Sequence, residues 1–299
     1  MKKLLALLGV TTTLLCGSAT SAMAASDYVQ RPIPVNVNGQ FVQTDANPEK
    51  INNRILVPIR ALSSLGLEYN WNGDTKTISI TNADKNQVKV TLNSKTAWSN
   101  EKKLTLDVPV QMRHGRVYVP IRFVSEAFES HVQLEPVRQI LFVTSGNNIN
   151  AKVDEAGKDL KTERQTAISL PIQANFKLIN SPQESYAGEA YTFPAGQADQ
   201  YTYTDQRTAT IVKIKDGKAI AVGQYSYGAL ADFSAVAGEI KTNTDPVLRP
   251  FIADPVSFQI EPSNEINAFY IDEKGNNTQL KNGIPKIYTD LIVTLPNNK

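Results

Sequence analysis

Cysteine and histidine are nearly absent from this sequence of 299 residues. The complete set is Cys16, His114 and His131. Because Cys16 lies in an apolar N-terminal segment, the rest of the chain has neither a thiol nucleophile nor a disulfide partner. Two histidines are too few for a Cys/His metal cluster. We therefore predict no metal site and no cofactor, and a fold that is stabilised by its hydrophobic core instead of cross-links.

A long hydrophobic run is also missing. The N-terminal apolar run, residues 4–15, follows two lysines and is followed by small residues that end at Ala24. It is too short to span a membrane, and its flanks are typical of a secretory signal. We predict a signal peptide over residues 1–24, cleavage after Ala24, and a secreted chain that is extracellular or cell-wall associated, with no membrane span in its mature part. Lipid modification of Cys16 is an alternative, which Leu15 immediately before it disfavours.

Neither sign of charge is in excess. The full chain has 31 basic and 29 acidic residues, and removal of Lys2 and Lys3 with the signal leaves 29 of each. Proteins that bind nucleic acids present a basic surface to the phosphate backbone. The balance argues against a nucleic-acid partner.

A repeated segment is the most specific feature of the sequence. Residues 53–60 read NRILVPIR and residues 115–122 read GRVYVPIR. A shift of 62 residues aligns three pairs between them: Arg54 with Arg116, Pro58 with Pro120, and Arg60 with Arg122. We predict two tandem copies of one unit, at about residues 35–81 and 97–144.

The residues around each VPIR segment predict a strand, a short helix and another strand. β-Branched and aromatic residues precede Pro58 and Pro120, and proline suits the first position of a helix. Gly66 can adopt the left-handed conformation that ends a helix. Because Glu129 stands at the corresponding place in the second copy, we expect that helix to end differently or to run slightly longer. In the first copy, Asn72-Gly73 predicts a hairpin.

Together, the hairpin, the VPIR segment, the short helix with its glycine and the Trp71-Asn72 turn resemble the stalk domain family named after the N-terminal domain of copper amine oxidases. The resemblance covers about residues 33–145, and it departs from the family pattern at Glu129 and Leu134. It implies an extracellular spacer or attachment module joined to a second domain. It does not imply copper catalysis, since those enzymes need three histidine ligands and a tyrosine that follows asparagine, and this sequence has neither.

The rest of the chain predicts a linker and a β-rich domain. Residues 146–166 are polar and charged, and we place an exposed linker there, between a duplicated stalk-type domain at 25–145 and a second domain at 167–299. Strand patterns and turn signals, among them Asp216-Gly217, indicate an all-β, sandwich-like second domain. A final strand from Tyr288 to Leu295 and one helix within residues 229–240 are also expected. The fold class is therefore mainly β with short helices (α+β).

Tyrosines are concentrated in the first part of this second domain. Two pairs have the spacing that places both side chains on one face of a strand: Tyr201 with Tyr203, and Tyr225 with Tyr227. Tyrosine combines a rigid apolar ring with a hydroxyl group and is common in recognition surfaces. These four residues are candidate binding residues for protein or sugar, and the alternative is that they pack as half-buried cross-strand pairs.

No catalytic motif is present. The serine-containing run GQYSYG at residues 223–228 is not a nucleophile elbow, and no histidine follows His131. We predict that the chain is not an enzyme but a binding protein. The specific hypothesis is an inhibitor of extracellular serine proteases. The alternatives are a cell-wall or surface stalk protein that binds glycan or protein and, more remotely, a hydrolase that uses unrecognised carboxylates. The paired carboxylates of the predicted linker, such as Asp159 and Glu163, are interpreted as a solvated face.

Overall fold

The computed structural model describes residues 32–145, 159–179, 188–205, 208–227, 233–251, 255–261, 266–271, 276–283 and 286–294. The predicted signal peptide and its cleavage site after Ala24 lie outside these residues, as do residues 146–158 of the predicted linker. Strands predominate in the described residues, with two α-helices and a few short 3₁₀ helices. The prediction of a mainly β fold with short helices is confirmed.

The first half contains thirteen strands in its described residues. In chain order they are β1 (Val35–Val37), β2 (Gln40–Phe41), β3 (Glu49–Ile51), β4 (Arg54–Pro58), β5 (Glu68–Asn72), β6 (Thr77–Thr81), β7 (Gln87–Thr91), β8 (Thr96–Ser99), β9 (Lys102–Thr105), β10 (Gln111–Arg113), β11 (Arg116–Pro120), β12 (Ser130–Leu134) and β13 (Leu141–Ser145). A 3₁₀ helix at Ile59–Leu65 follows β4, and α1 (Ile121–Phe128) follows β11. The strand–proline–helix–strand order predicted around each VPIR segment is thus observed, and so is the hairpin of β5 and β6.

These strands form three sheets, with the orders β12-β13-β1-β2, β10-β11-β4-β3 and β5-β6-β7-β8-β9. Each sheet contains strands from both of the segments in which the repeat is predicted, residues 35–81 and 97–144. Buried aliphatic residues from all three sheets, among them Val35, Val57 and Ile80, pack in one core. Because apolar contact is the main stabilising term, this core joins the two predicted repeat segments as well as the three sheets.

The two helices end in the same backbone conformation, and the second helix runs slightly longer, which is one of the two outcomes expected for it. Gly66 has φ 72° and Glu129 has φ 49°, so both residues adopt the left-handed conformation. A residue with a Cβ can occupy this region singly at a modest energetic cost. The second helix is one residue longer, but the glycine is not needed to end it.

The second half forms one nine-stranded sheet in its described residues. Its strands are β14 (Ile172–Ala174), β15 (Glu189–Phe193), β16 (Gln200–Asp205), β17 (Thr208–Lys215), β18 (Lys218–Tyr227), β19 (Phe233–Gly238), β20 (Val256–Ile260), β21 (Ile266–Ile271) and β22 (Asn277–Gly283). Their order is β14-β18-β17-β16-β15-β20-β21-β22, and β19 pairs with β18. The described strands therefore build a single continuous sheet instead of the two packed sheets of a sandwich.

Local predictions in this half had mixed outcomes. The hairpin of β17 and β18 turns at Asp216 and Gly217, which both have positive φ, as predicted. The helix expected within residues 229–240 is wrong, because Phe233–Gly238 pairs with β18 as a strand. The final strand is also wrong, since Tyr288–Leu291 is a 3₁₀ helix whose Asp290 carboxylate accepts hydrogen bonds from the N–H groups of the turn before it.

Part of the predicted linker is helical. The helix α2 (Leu160–Ile168) begins after Asp159, whose carboxylate accepts a hydrogen bond from the Thr162 N–H at 3.1 Å. Arg164 and Ile168 on α2 are buried against the nine-stranded sheet. The helix was not predicted because the segment is mostly polar and only a few of its residues pack against the sheet.

The two halves meet at a fully buried ion pair between Glu135 and Arg138, in the loop between β12 and β13. The Arg138 Nε donates to the Glu135 carboxylate at 2.7 Å. The Arg138 guanidinium also donates to the carbonyl oxygens of Ile168 at 2.7 Å and Leu170 at 2.6 Å. Because one guanidinium satisfies groups from both halves, the junction is fixed by directional hydrogen bonds as well as by apolar contact.

Candidate binding surfaces

Two of the four candidate tyrosines are buried. Tyr201 and Tyr203 are 0% and 1% exposed, and their rings pack against Tyr191 with centroids 5.6 and 5.1 Å apart. The Tyr203 hydroxyl donates to Glu189 at 2.6 Å. Both side chains do face the same side of β16, but that side is covered by core residues. The prediction that Tyr201 and Tyr203 form a binding face is therefore wrong.

The other pair lies closer to the surface. Tyr225 is nearly buried and stacks on Phe233 with centroids 4.3 Å apart, whereas Tyr227 is 40% exposed. The hydroxyl groups of Tyr225 and Tyr227 are within hydrogen-bonding distance of each other, 3.1 Å. Burial raises the pKa of Tyr225, so its hydroxyl stays protonated as a donor. Of the four candidates, only Tyr227 presents a large part of its ring to a partner.

The two VPIR segments lie side by side. In the antiparallel pair of β4 and β11, Pro58 is opposite Tyr118 and Leu56 is opposite Pro120. Arg54 forms an ion pair with Asp107, and Arg116 forms one with Asp45. Pro58 and Pro120 each precede a helix, while the two following arginines, Arg60 and Arg122, are exposed. The repeated residues up to and including each proline therefore have structural contacts. The last arginine of each motif, Arg60 or Arg122, is exposed to solvent.

A cleft of about 290 Å³, lined by apolar side chains and two arginines, lies between the five-stranded sheet and the β10–β11 hairpin. Its rim carries Trp71 of β5 and Met112 of β10, which are 46% and 52% exposed. Ile78 of β6 and Val117 of β11 also line it. This is a preformed concave site with an aromatic and a thioether side chain open to solvent, a composition suited to binding an apolar group.

One wall of this cleft is held by Tyr69. Its hydroxyl donates to the carbonyl oxygen of Ile59 at 2.9 Å, which fixes β5 against the start of the 3₁₀ helix. Burial raises the pKa of Tyr69, so this hydrogen bond persists throughout the physiological pH range. The adjacent Arg60 lines the cleft as an exposed cation.

The outer face of the five-stranded sheet presents a second exposed tryptophan. Trp98 of β8 is 45% exposed and lies directly between Lys89 of β7 and Lys103 of β9. The same row continues across the sheet through Ser79 and Asn70. A flat, polar face with one aromatic ring and two flanking ammonium groups can stack on a sugar ring and attract an anion.

The family comparison agrees with the geometry of the VPIR segments. The model of the family described as "Copper amine oxidase N-terminal domain" matches residues 36–143. Residues 36–143 are therefore similar to this family over about a third of the chain. The resemblance identified from the repeated motif is thereby confirmed for this part of the chain, and the match does not extend into the second half.

A curated relative has a functional name. A protein of Brevibacillus choshinensis described as "Protease inhibitor" is 28% identical to this chain over 116 residues. The aligned segment covers 38% of this chain and 35% of the relative. The chain therefore matches about a third of the length of this relative.

The second half contains a cleft of about 340 Å³ between α2 and the β16–β17 region. Two carboxylates, Glu163 and Asp199, line it together with apolar residues such as Leu170 and Ile214. Within the residues that the structure describes, no group of three His, Cys, Asp or Glu residues could hold a metal ion. None of the helices in that part of the chain is long and apolar enough to cross a membrane.

The sequence pattern predicts neither exposed tryptophan as a binding residue. It places Trp71 in the turn that resembles the family motif, and it gives Trp98 no role. Alternation with small or polar residues along β8 could have placed Trp98 on the solvent face. No local pattern could have predicted that Trp71 and Met112 line one cleft, because their strands belong to different sheets.

Proposed function

We propose that the mature chain is a secreted, non-catalytic binding protein that inhibits extracellular serine proteases. The observation that carries this proposal is its similarity to the Brevibacillus choshinensis relative described as a protease inhibitor. The N-terminal signal pattern supports secretion into the medium where such proteases act. The partner is then a protein, and the inhibitor supplies no reacting group of its own.

The distribution of the ionisable groups supports a non-catalytic role. Burial changes the pKa values of Tyr191, Tyr288 and Arg164, which are buried in the second half. Tyr69, whose pKa burial also raises, lines the cleft of Trp71 and Met112, but its hydroxyl donates to the carbonyl oxygen of Ile59. The Tyr191 and Tyr288 hydroxyls are 2.6 Å apart and buried, so they contact each other instead of a substrate. Catalytic groups with altered pKa values are expected in an open cleft.

The rigid junction of the two halves supports inhibition by a preformed surface. The core of the second half includes Phe41 and Phe142 from the first half. The ring of Phe41 lies 4.6 Å from that of Tyr288, measured between centroids. A protein that is ordered before binding loses less conformational entropy on association, which favours tight binding to a protease.

We further propose that the first domain, residues 25–145, is a duplicated module with an approximate twofold relation between its copies. The ion pairs Arg54–Asp107 and Arg116–Asp45 each link one copy to the other. The two arginines are 62 residues apart in the sequence, and so are the two aspartates, so the pairs are equivalent under the repeat. The second domain then begins at α2, and residues 146–158 connect the two. This arrangement makes the first domain a compact support for the second.

Protease inhibition is tested by following whether the protease cleaves the chain while its activity is measured. Purified residues 25–299 are incubated with subtilisin or trypsin, and both residual protease activity and the integrity of the chain are followed over time. An inhibitor lowers the activity lastingly and stays intact or is cut at one bond. A chain that is progressively degraded while the activity recovers is a competing substrate, and this outcome would contradict the proposal.

A second candidate function is favoured by the Trp98 face: attachment to cell-wall glycan. Trp98 between Lys89 and Lys103 suits the stacking of a sugar next to an anionic group. The mature chain should then sediment with purified cell walls, and Trp98→Ala should reduce the bound fraction while Trp71→Ala leaves it unchanged. Equal sedimentation of both variants and the unmodified chain would contradict this function.

A further inference from the structure

The cleft rimmed by Trp71 and Met112 lies between two sheet edges. β5 and β10 are the first strands of their sheets, and each pairs on one side only in the described part of the chain. The free side of an edge strand presents unpaired N–H and C=O groups, which can pair with another extended chain. The cleft is therefore bordered by backbone that can accept an added strand.

The apolar character of the cleft suits one side chain of such a strand. Trp71 and Met112 are among the most exposed large apolar residues of the described chain. Ile78 and Val117 line the cleft below them. Burial of these groups by an incoming aliphatic or aromatic side chain would remove apolar surface from water and stabilise the complex.

The charges that line the cleft favour an acidic residue next to the apolar side chain of the bound segment. Arg60 and Arg116 line the cleft, and no carboxylate is among the lining residues. The charge of Arg116 is neutralised by Asp45. Arg60 has no ion-pair partner among the described residues, so it is the cation that remains for a ligand.

From these features we propose that the cleft binds an extended segment of a partner protein. The segment places an aliphatic or aromatic side chain between Trp71 and Met112, directs an acidic side chain to Arg60, and pairs its backbone with the free edge of β5 or β10. This recognition goes beyond protease inhibition, and it holds whether or not the chain inhibits a protease.

The test selects linear heptapeptides from a phage-displayed random library on the mature chain, residues 25–299, with the Trp98→Ala variant as a matched control. The expected result is enrichment of peptides in which an apolar residue lies within two positions of Asp or Glu. Synthetic forms of these peptides should bind about tenfold or more weakly to Trp71→Ala and to Arg60→Glu, and equally well to Trp98→Ala.

All three substituted residues are exposed, so their variants should keep the melting temperature of the parent chain. A variant that melts earlier is replaced by Met112→Ser, which tests the same cleft from its other rim. The proposal is overturned if no peptide is enriched, if the enriched peptides bind Trp71→Ala and Met112→Ser unchanged, or if they carry basic residues instead of acidic ones. Binding of purified cell-wall polysaccharide that depends on Trp71 would also overturn it, because the cleft would then be a glycan site.

Discussion

Val57 lies directly opposite Val119 in the antiparallel pair of β4 and β11, and both side chains are completely buried. The two valines are equivalent residues of the two VPIR segments. On either side of this pair, Leu56 is opposite Pro120, and Pro58 is opposite Tyr118. The two VPIR segments of the first half therefore contact each other through the same residue of the motif.

A single copy of the repeat should not fold alone. Residues 32–82 contain β1 and β4, whose partners β13 and β11 belong to the second copy. Without these partners, both strands would expose unpaired backbone groups and much of the shared core. Far-UV circular dichroism of residues 32–82 should show an unfolded chain, whereas residues 25–299 show strand structure. A cooperative thermal transition of the isolated copy would contradict this expectation.

The two ion pairs that link the repeat segments, Arg54–Asp107 and Arg116–Asp45, should each contribute weakly and equally to the free energy of unfolding. Arg54→Ala and Arg116→Ala should each lower the free energy of unfolding by about 0.2–1 kcal/mol, since all four side chains are partly exposed. Urea denaturation measures both values. The reversed pair Arg54→Asp with Asp107→Arg should recover most of the loss, and a loss in one position several times that in the other would argue against equivalent roles.

Substitution in the buried ion pair Glu135–Arg138 should lower the free energy of unfolding far more than substitution in the exposed pairs. Arg138→Met leaves the Glu135 carboxylate buried without its cation, and we expect a loss of about 3–5 kcal/mol in the free energy of unfolding. Adding Glu135→Gln to this variant removes the unpaired charge and should recover part of the loss. A double variant less stable than Arg138→Met alone would show that Glu135 has an independent structural role.

Two neighbouring tyrosines should respond in opposite ways to the loss of their hydroxyl groups. Tyr201 has a buried hydroxyl with no hydrogen-bond partner among the described residues, whereas the Tyr191 hydroxyl lies 2.6 Å from that of Tyr288. Tyr201→Phe should leave stability unchanged or raise it by about 1 kcal/mol, and Tyr191→Phe should lower it by about 1 kcal/mol. Thermal melts of the two variants make the comparison, which a larger loss for Tyr201→Phe would refute.

The buried tyrosines should make the protein sensitive to alkaline pH. Burial raises the pKa of Tyr201 to about 12, and it also raises the pKa values of Tyr191 and Tyr288. Above about pH 10 the unfolded chain loses tyrosine protons that the folded chain retains, so the free energy of unfolding falls as pH rises. Tyr201 alone accounts for about 2 kcal/mol between pH 10 and pH 12.

Burial lowers the pKa of Arg164 to about 10, which acts in the opposite direction over the same pH range, but several tyrosines outweigh this one arginine. Tyrosinate absorbance should therefore rise together with unfolding as the pH is increased, and Tyr201→Phe should make the fall in stability shallower. Titration of all tyrosines in a chain that stays folded would contradict the burial of these hydroxyl groups.

Local features of the fold could be predicted from sequence because they depend on neighbouring residues. Pro58 and Pro120 mark the change from strand to helix, and Asp216-Gly217 marks a hairpin, since proline fixes φ and the turn requires positive φ. The interleaving of the two copies could not be predicted in this way. It arises from the parallel pairing of β1 with β13, which are far apart in the sequence.

The candidate site was harder to predict for the same reason. Two-residue spacing correctly placed Tyr201 and Tyr203 on one face of β16, but it could not show that core residues such as Tyr191 cover that face. The cleft of Trp71 and Met112 forms only when separate sheets come together. The periodicity of residues within one strand does not show which other sheet packs beside it.

Protease inhibition should be measured first by titration. A fixed concentration of subtilisin or of trypsin is titrated with the mature chain, residues 25–299, and residual activity is followed on a small peptide substrate. For an inhibitor we expect a nearly linear loss of activity that ends close to a one-to-one molar ratio for at least one of the two proteases. Full activity of both enzymes in the presence of a large excess of the chain would contradict it.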